Sequence, residues 1–470
     1  MAKVQIYNTE SRKIQEIDPV SDDGVLRVYC CGPTVYNYPH IGNMRAYIWQ
    51  DVMVKTLRYA GYNVKHVMNI TDVGHLTSDE DTGEDKMRVA SEREKMSVYD
   101  IARKYENIFF DYSKQLNIKR PDVVCRATEY IGAMIELVKL LEAKGYAYLS
   151  GGNVYFDTSK FPNYGKMAGL DLNNLEHGSR VEEDTNKKNP TDFVLWFTES
   201  KFKNQILVWP SPWGEAGYPG WHLECSAMAI KELGEYLDIH CGGVDHVGVH
   251  HTNEIAQSEA MLGHKWTNIW AHGEFLNFAG AKMSKSSGGF ITLDSIKEQG
   301  IEPMHYRYLC LTASYRSTLE FSDDSLIAAK NSYENLKTRV IELKKNSDGS
   351  ADKQKASSYI EKFYAHLYND FATSQALATM WEMLKDNEMD AATKLYAVSE
   401  MDVVLSLGVL DMQPQSIEIT TEIQSILDRR KAARASKDWE MSDMLRDELK
   451  DKFLLEIKDL SGGEIELKKL

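Results

Sequence analysis

The sequence lacks any long apolar run, and this absence argues against a membrane-spanning protein. A transmembrane helix needs about 20 consecutive apolar residues, and no stretch of that kind occurs in the chain. The opening residues, MAKVQIYNTESRKIQEI, are polar throughout and do not have the pattern of a secretion signal. We therefore expect a cytoplasmic protein with no membrane partner.

Cysteine is also scarce. Six cysteines are spread along the chain, at positions 30, 31, 125, 225, 241 and 310. This spacing is a poor disulfide framework for a chain of this size in a reducing compartment, so metal binding or chemistry is a better use for some of them. For Cys125, Cys241 and Cys310, packing as small buried hydrophobic residues is the better interpretation.

The chain has no excess of positive charge: its formal net charge is −15. A protein that coats nucleic acid non-specifically needs a basic surface, so that class is disfavoured. A local basic face is still possible, since five cations fall within nine residues of a predicted helix: Arg429, Arg430, Lys431, Arg434 and Lys437. This face either follows RNA phosphates or belongs to a solvated helix with acidic partners.

The N-terminal region predicts a parallel sheet. Residues 26–31 form a short apolar segment that ends at a Gly-Pro pair, a helical pattern runs from Asn43 to Gly61, and NVKHVMNI predicts a second strand. Strand, turn, helix and strand in this order are typical of a βαβ unit and of an α/β fold.

Farther along, the pattern changes several times. Residues 87–148 are mostly helical in period, and residues 151–213 contain short aromatic and β-branched runs that suggest an α+β insertion. Strands resume at EYLDIHCGG, with a helix after His250. The polar stretch near 345–357 predicts a linker, residues 358–450 are helical in period, and the last twenty residues predict a partly extended tail.

Two motifs predict a nucleotide site. KMSKS at 282–286 is flanked by glycines and supplies Lys282 and Lys285, which can neutralise the charge on departing pyrophosphate. The alternative is an ordinary solvated loop. PHIGN at 39–43 follows a strand and opens a helix, whose N-terminus favours an anion, and Gly42 permits close approach. Together the two motifs resemble the class I aminoacyl-tRNA synthetases.

A metal site is predicted by a second set of residues. His250 and Glu254 are four positions apart at the start of a helix and project from one face, whereas His251 is expected to point elsewhere. Cys225 and one of the two opening cysteines would complete a four-ligand zinc set. Adjacent residues of a strand face opposite ways, so only one of Cys30 and Cys31 can reach the metal. Periodicity alone leaves that choice open.

The chain resembles the cysteinyl-tRNA synthetases nearly from end to end. Besides YCCGPTVYNYPHIGN and KMSKS, the similar segments are NITD, RATEYI, KNPTDFVLW, SPWGEAGYPGWHLECSAM, GGVDHVGVHHTNEIAQS and ARASKDWEMSDMLRDEL. The resemblance implies that zinc is bound by Cys31, Cys225, His250 and Glu254, with Cys30 as a core thiol.

The same resemblance implies the other site residues. His40 and Asn43 would contact the ATP phosphates, together with Gly42, Lys282 and Lys285; Thr34 and Asp72 would line the pocket; Trp221 would contact the cysteine side chain; Gly243 and Asp245 would meet the adenylate. Trp221 also fits an ordinary core position. The sequence departs from the family in having Asn43 in place of a second histidine and Tyr218 in place of an arginine.

The resemblance further implies a Rossmann-type parallel-sheet catalytic domain with an α+β insertion, then an all-α bundle and a small C-terminal domain. The boundaries expected are listed here: catalytic domain, first half, 1–120; connective insertion, 121–214; catalytic domain, second half with the KMSKS loop, 215–290; stem-contact segment, 291–345; linker, 346–357; helical bundle, 358–415; anticodon-binding domain, 416–470.

The implied function is ATP-dependent activation of L-cysteine and its transfer to tRNA(Cys) by a monomer that uses one Zn²⁺ and takes ATP with Mg²⁺. Zinc suits this task because it prefers a thiolate to the hydroxyl of serine, which a hydrophobic pocket cannot reject strongly. The alternatives are a zinc site that only fastens the insertion to the catalytic fold, a ligase that joins cysteine to an amino-sugar, and a paralogue that binds nucleotide or tRNA without catalysis.

Overall fold

The structure is a computed structural model that describes residues 2–74, 86–170, 184–199, 205–278, 291–413, 419–459 and 465–469. The chain divides into two compact units, Met1–Val409 and Leu410–Leu470. No helix among these described residues combines the length and apolar character needed to cross a membrane.

The first unit mixes strands and helices along its whole length. Its strands are β1 Gln5–Asn8, β2 Lys13–Glu16, β3 Val25–Cys30, β4 Asn63–Ile70, β5 Val123–Arg126, β6 Ala147–Ser150, β7 Asn153–Phe156, β8 Phe193–Phe197, β9 Trp209–Ser211, β10 Gly214–Pro219, β11 Leu237–Gly243, β12 Thr267–Gly273, β13 Leu276–Phe278 and β14 Leu319–Phe321. Its helices are α1 Ile41–Tyr59, α2 Lys86–Glu94, α3 Val98–Gln115, α4 Ile131–Ala143, α5 Trp221–Leu233, α6 His250–Leu262, α7 Leu293–Lys297, α8 Pro303–Leu311, α9 Asp323–Lys345, α10 Lys353–Tyr368, α11 Thr373–Lys385 and α12 Ala391–Leu405.

A five-stranded parallel sheet forms the centre of the first unit, in the order β12-β11-β3-β4-β5. Helix α1 connects β3 to β4, as the predicted βαβ unit requires. The predicted α/β class with a parallel sheet is therefore confirmed. Strand β5 lies inside a segment that the sequence predicts as mostly helical. The strand was not predicted because four residues are too few to show a period of two.

Helix α1 begins two residues earlier than the sequence predicts. His40 is its N-cap, and Asn43, three residues on, completes a capping box with it. The helix ends at Tyr59, just before Gly61, whose φ of 94° is easily reached only by glycine.

A second sheet is antiparallel, has the order β6-β7-β8-β10-β9 and occupies the region predicted as an insertion. Its buried face shares one hydrophobic core with α4, α5 and the central sheet, including Phe156, Trp196, Leu223 and Trp270. Gly220 caps α5, and a Cβ there would lie 2.1 Å from the carbonyl oxygen of Val194, so this junction accepts only glycine. The start of α5 is thus held against β8.

A buried arginine joins α8 to two other helices of the first unit. Arg307 is fully buried, and its guanidinium donates to Asp51 of α1 at 2.7 Å and to the carbonyl of Leu405, the last residue of α12, at 2.7 Å. It also donates to the carbonyl of Leu116 at 2.8 Å. Lys55 forms a second ion pair with Asp51 at 2.7 Å. This network therefore connects α1 with α8 and α12, two helices that follow the KMSKS segment in the sequence.

The second unit contains α13 Thr421–Ala435, α14 Trp439–Phe453, β15 Leu455–Asp459 and β16 Ile465–Lys469. The two strands form an antiparallel hairpin, which fits the predicted extended tail. The core of this unit brings together Ile423, Ile426, Leu427, Leu445, Leu449, Leu455 and Ile457. The second unit therefore has a hydrophobic core of its own.

The predicted basic face is smaller than the sequence suggests. Arg430 is buried and makes two hydrogen bonds of 2.9 Å with Asp459, while Arg434 donates to the same carboxylate at 2.8 Å. Lys437 lies beyond the end of α13, at a φ of 62°. The acidic-partner interpretation therefore holds for Arg430 and Arg434.

We expect Asp459→Asn to loosen this second unit. The variant removes the charge that neutralises buried Arg430, but Asp459 is partly exposed and water screens part of the loss, so we expect about 1 kcal/mol. Hydrogen exchange of the full chain should show faster exchange in α13 and β15 and unchanged exchange in β11. Equal protection in the variant and the parent chain would contradict this role.

Candidate active site

A cavity of about 480 Å³ lies at the carboxyl ends of the central strands, where ligands bind in open parallel sheets. The N-terminus of α1, the start of α5 and the turn after β11 form its walls. Among its lining residues are Cys31, Gly32, Thr34, Tyr38, His40, Gly42, Asn43, Thr71, Tyr105, Trp221, Cys225, Gly243, Asp245, His250, Phe275 and Phe278. Most of the predicted site residues are therefore brought together.

One end of the cavity holds a cluster of metal-type ligands. The thiols of Cys31 and Cys225, a ring nitrogen of His250 and a carboxylate oxygen of Glu254 all lie within 4.8 Å of one another. All four residues are buried. Cys31 directly follows β3, Cys225 lies on α5, and the other two lie one turn apart at the start of α6.

The electrostatics of this cluster fit a divalent cation. A hydrogen bond with Cys31 and burial raise the pKa of Cys225 well above its usual value, and burial raises the pKa of Cys31 to about 11. Glu254 is fully buried, and its two carboxylate oxygens lie 3.0 Å from His250 Nε2 and 3.0 Å from His240 Nε2. A bound cation would stabilise the thiolate forms of the two cysteines and the buried carboxylate, so these residues fit a zinc ion.

Histidines surround the cluster more densely than the sequence predicts. His251 was expected to point elsewhere, and that expectation is wrong: its Nε2 lies 3.3 Å from the Cys31 sulfur. His240 Nε2 lies 3.0 Å from Glu254 Oε2. A second ligand set, Cys31, His240, His251 and Glu254, is consequently as compact as the first.

The sequence signal for these histidines was weak. His240 lies within β11 and His272 near the end of β12, where each looks like one polar residue among apolar neighbours. In the folded chain, His251 Nδ1 lies 2.7 Å from His272 Nε2. Only the parallel pairing of β11 with β12 brings the two strands and α6 to one place.

Cys30, the first of the two adjacent cysteines, belongs to the hydrophobic core. Cys30 is fully buried and pairs in register with Cys241 on β11. Burial raises its pKa, but a hydrogen bond from Cys241 and the neighbouring His66 outweigh this and lower the pKa of Cys30 to about 5. Cys125, Cys241 and Cys310 are buried too, as predicted.

Next to the cluster, the backbone at Gly32 packs directly against β4, so no residue with a side chain can replace this glycine. A Cβ at Gly32 would lie 1.7 Å from the carbonyl oxygen of Asn69. The backbone N–H of Gly32 donates to Asn69 Oδ1 at 2.7 Å, and Asn69 Nδ2 donates to Thr71 Oγ1 at 3.2 Å. These bonds fix the direction in which the chain leaves Cys31.

At the other end of the cavity, His40 and Asn43 bind each other. His40 Nδ1 accepts from the N–H of Asn43 at 3.2 Å, and Asn43 Oδ1 accepts from the N–H of His40 at 3.3 Å. Burial lowers the pKa of His40. Opposite this turn, a Cβ at Gly42 would lie 3.8 Å from Leu276, so the segment containing Phe275 and Phe278 forms the facing wall.

The remaining predicted residues divide into two groups. Trp221 lines the cavity, with its ring centroid 4.1 Å from that of His250, and Thr34, Gly243 and Asp245 also line it. Asp72 instead lies behind the wall, where its carboxylate accepts from the N–H and the hydroxyl of Thr128 at 2.9 and 2.6 Å. Lys282 and Lys285 lie outside the described residues.

Comparison with known proteins shows which family the chain belongs to. The family described as "tRNA synthetases class I (C) catalytic domain" matches residues 17–331. The cysteine–tRNA ligase of Treponema denticola is 45% identical over 98% of both chains, and that of Borrelia hermsii is 43% identical over 98% of this chain and 99% of its own. The chain belongs to the cysteine–tRNA ligase family.

Fold comparison agrees with this membership. Mycobacterium tuberculosis methionyl-tRNA synthetase in complex with methionyl-adenylate has a TM-score of 0.57, covers 87% of this chain and 94% of its own, and is 16% identical. At that identity the likeness concerns the fold alone. The cysteine–tRNA ligase family resemblance noted from the motifs is thus confirmed, and the protein is a class I synthetase and a ligase.

Proposed function

We propose that the protein activates L-cysteine with ATP to cysteinyl-adenylate and pyrophosphate, and then transfers cysteine to the 3′ end of tRNA(Cys). The observation that carries this proposal is the position of the four-ligand cluster. It forms one end of the same cavity whose other end is the N-terminus of α1. A thiol-selective site and an anion site therefore face one bound substrate.

The phosphates of ATP would lie at the N-terminus of α1, where backbone N–H groups and the helix dipole favour an anion. The reciprocal hydrogen bonds of His40 and Asn43 fix the conformation of this turn. Gly42 has no side chain, so the phosphates could approach the backbone closely. A carboxylate oxygen of cysteine attacks the α-phosphorus while the bond to pyrophosphate breaks. The work of the protein is positioning and charge neutralisation, to which Lys282, Lys285 and Mg²⁺ would contribute.

The thiol of cysteine would be recognised at the buried cluster. Zinc held by Cys31, Cys225, His250 and Glu254 would supply a Lewis acid that prefers a thiolate to a hydroxyl. Trp221 packs on His250 and closes the side of the pocket. Asp245 lies in the turn after β11 and would accept hydrogen bonds from the substrate ammonium or the ribose hydroxyls.

Two observations weigh against the alternatives. Cys31, Cys225 and His250 all line the cavity, whereas a zinc ion that only fastened the insertion would need no access to substrate. The second unit has its own core and exposes Trp439 at 57%, with the guanidinium of Arg434 5.8 Å from its ring centroid. An aromatic and a cation together suit unpaired RNA bases, which an amino-sugar ligase would not meet.

We retain the domain assignment given above, with 416–470 as the anticodon-binding domain. Two features refine it. Strand β5, at Val123–Arg126, pairs with the central sheet although it lies inside the predicted insertion of 121–214. The predicted linker of 346–357 is helical from Lys353 onward, where α10 begins.

The test is cysteine-dependent exchange of pyrophosphate into ATP, with the zinc content of the protein measured. We expect exchange with cysteine but not with serine, loss of exchange on chelation, and charging of tRNA(Cys). Exchange without charging would favour the amino-sugar ligase. No exchange at full zinc occupancy would favour the non-catalytic paralogue.

A further inference from the structure

An aromatic side chain at the mouth of the cavity has no part in the proposed activation step. Tyr38 lines the cavity, yet 42% of its surface is exposed. Its ring meets that of buried Tyr105 edge to face, with 5.3 Å between the centroids and an angle of 77°. Tyr38 therefore presents an aromatic surface to anything that enters the cavity from solvent.

The partner ring is fixed by a charged network between α2 and α3. The hydroxyl of Tyr105 donates a hydrogen bond to the carboxylate of Glu94. The same carboxylate also accepts hydrogen bonds from Lys104 at 2.5 Å and from Arg93 at 2.8 Å. Arg93 also donates to the hydroxyl of Tyr105 at 3.1 Å. These bonds hold Tyr105 in place, and Tyr105 in turn supports the Tyr38 ring from one side.

The position of Tyr38 along the chain indicates which substrate it meets. Residues 32–39 run from the ligand Cys31 to the N-cap His40, and so pass from the thiol end of the cavity to the phosphate end. The bond to the activated carboxyl must form between these two ends. Phe275 and Phe278 also line the cavity and are 51% and 50% exposed, but their segment lies next to Gly42 at the start of α1. Tyr38 instead contacts Tyr105 of α3.

A third substrate that enters the cavity beside Tyr38 would reach the activated carboxyl between these two ends. The acceptor end of a tRNA is single-stranded, and unpaired bases of RNA are commonly held by stacking on aromatic side chains. We propose that Tyr38 is a positioning residue for charging, which stacks on the terminal base of the tRNA and places its ribose beside the aminoacyl-adenylate. This inference rests on the proposed function.

The test compares Tyr38→Ala with Tyr38→Phe, which keeps the ring. In Tyr38→Ala we expect kcat/KM for tRNA charging to fall by about tenfold to a hundredfold more than kcat/KM for pyrophosphate exchange. Tyr38→Phe should stay close to the parent chain in both assays. The matched control is Tyr99→Ala, which removes another exposed tyrosine that does not line the cavity.

A spectroscopic readout separates stacking from a general loss of structure. A tRNA carrying 2-aminopurine as its last base should lose fluorescence on binding the parent chain or Tyr38→Phe, and should keep it on binding Tyr38→Ala. Equal losses of exchange and charging would overturn the proposal and assign the ring to ATP. Unquenched fluorescence with the parent chain would also overturn it. Absence of exchange in the parent chain would instead refute the proposed function.

Discussion

Cys225→Ser is expected to lower cysteine-dependent pyrophosphate exchange by more than about a hundredfold. Loss of a partner outside the ligand sphere typically costs 10–100-fold in metal affinity or activity, so loss of a ligand should cost more. Cys225 is also the proposed ligand that lies on α5, next to Trp221 and the cavity. Without it, the three other proposed ligands would hold a zinc ion less tightly and would orient it less well toward the substrate thiol.

Metal binding should be measured in the same samples. With Co²⁺ as the probe, the parent chain should show thiolate-to-metal absorption that increases when cysteine is added, and Cys225→Ser should show less of it. The matched control is Cys310→Ser, another buried cysteine that belongs to neither ligand set found among the described residues. Unaltered metal binding and exchange in Cys225→Ser would refute the assigned set.

Arg307→Met is expected to destabilise the first unit by about 3 kcal/mol, the lower end of the usual cost of breaking a buried ion pair, because Asp51 keeps its ion pair with Lys55. It also leaves the carbonyls of Leu116 and Leu405 without this donor. The measurement is the urea midpoint for unfolding of the full chain, with tryptophan fluorescence as the signal.

The control is the double variant Arg307→Met/Asp51→Leu, which removes both charges. Lys55 would still donate to the carbonyl of Asn117 and the hydroxyl of Ser406, both at 2.8 Å. We expect the double variant to recover part of the lost stability, since replacing a whole buried pair by apolar groups is often nearly neutral. A midpoint of the single variant equal to that of the parent chain would show that the network does not stabilise the fold.

The sequence predicts the parts of this molecule that depend on local patterns. Strand β4 begins and ends where NVKHVMNI does, and β3 and α1 start within two residues of their predicted positions. The spacing of His250 and Glu254 correctly predicts that both reach one cluster, because four residues make about one helical turn. These features need only neighbours along the chain.

Features that depend on distant pairing were missed. Strand β5 is recognisable only from its register with β4, and the position of His251 follows from where β12 brings His272. Neighbouring residues of a helix point in different directions, and for this reason His251 was wrongly expected to lie away from the cluster. The cluster extends far enough that His250 and His251 both contact it. Asp72 is a further case, because its contact with Thr128 joins residues 56 positions apart.

The reciprocal bonds between His40 and Asn43 have a consequence for recognising such chains. The third residue after the N-cap needs a side-chain acceptor that can reach back to one backbone N–H, and the amide of Asn43 supplies it. The HIGN signature of this chain is therefore also a helix-start signal. A search that insists on a second histidine would overlook a chain whose α1 begins in this way, whereas one that accepts any short acceptor there would retrieve it.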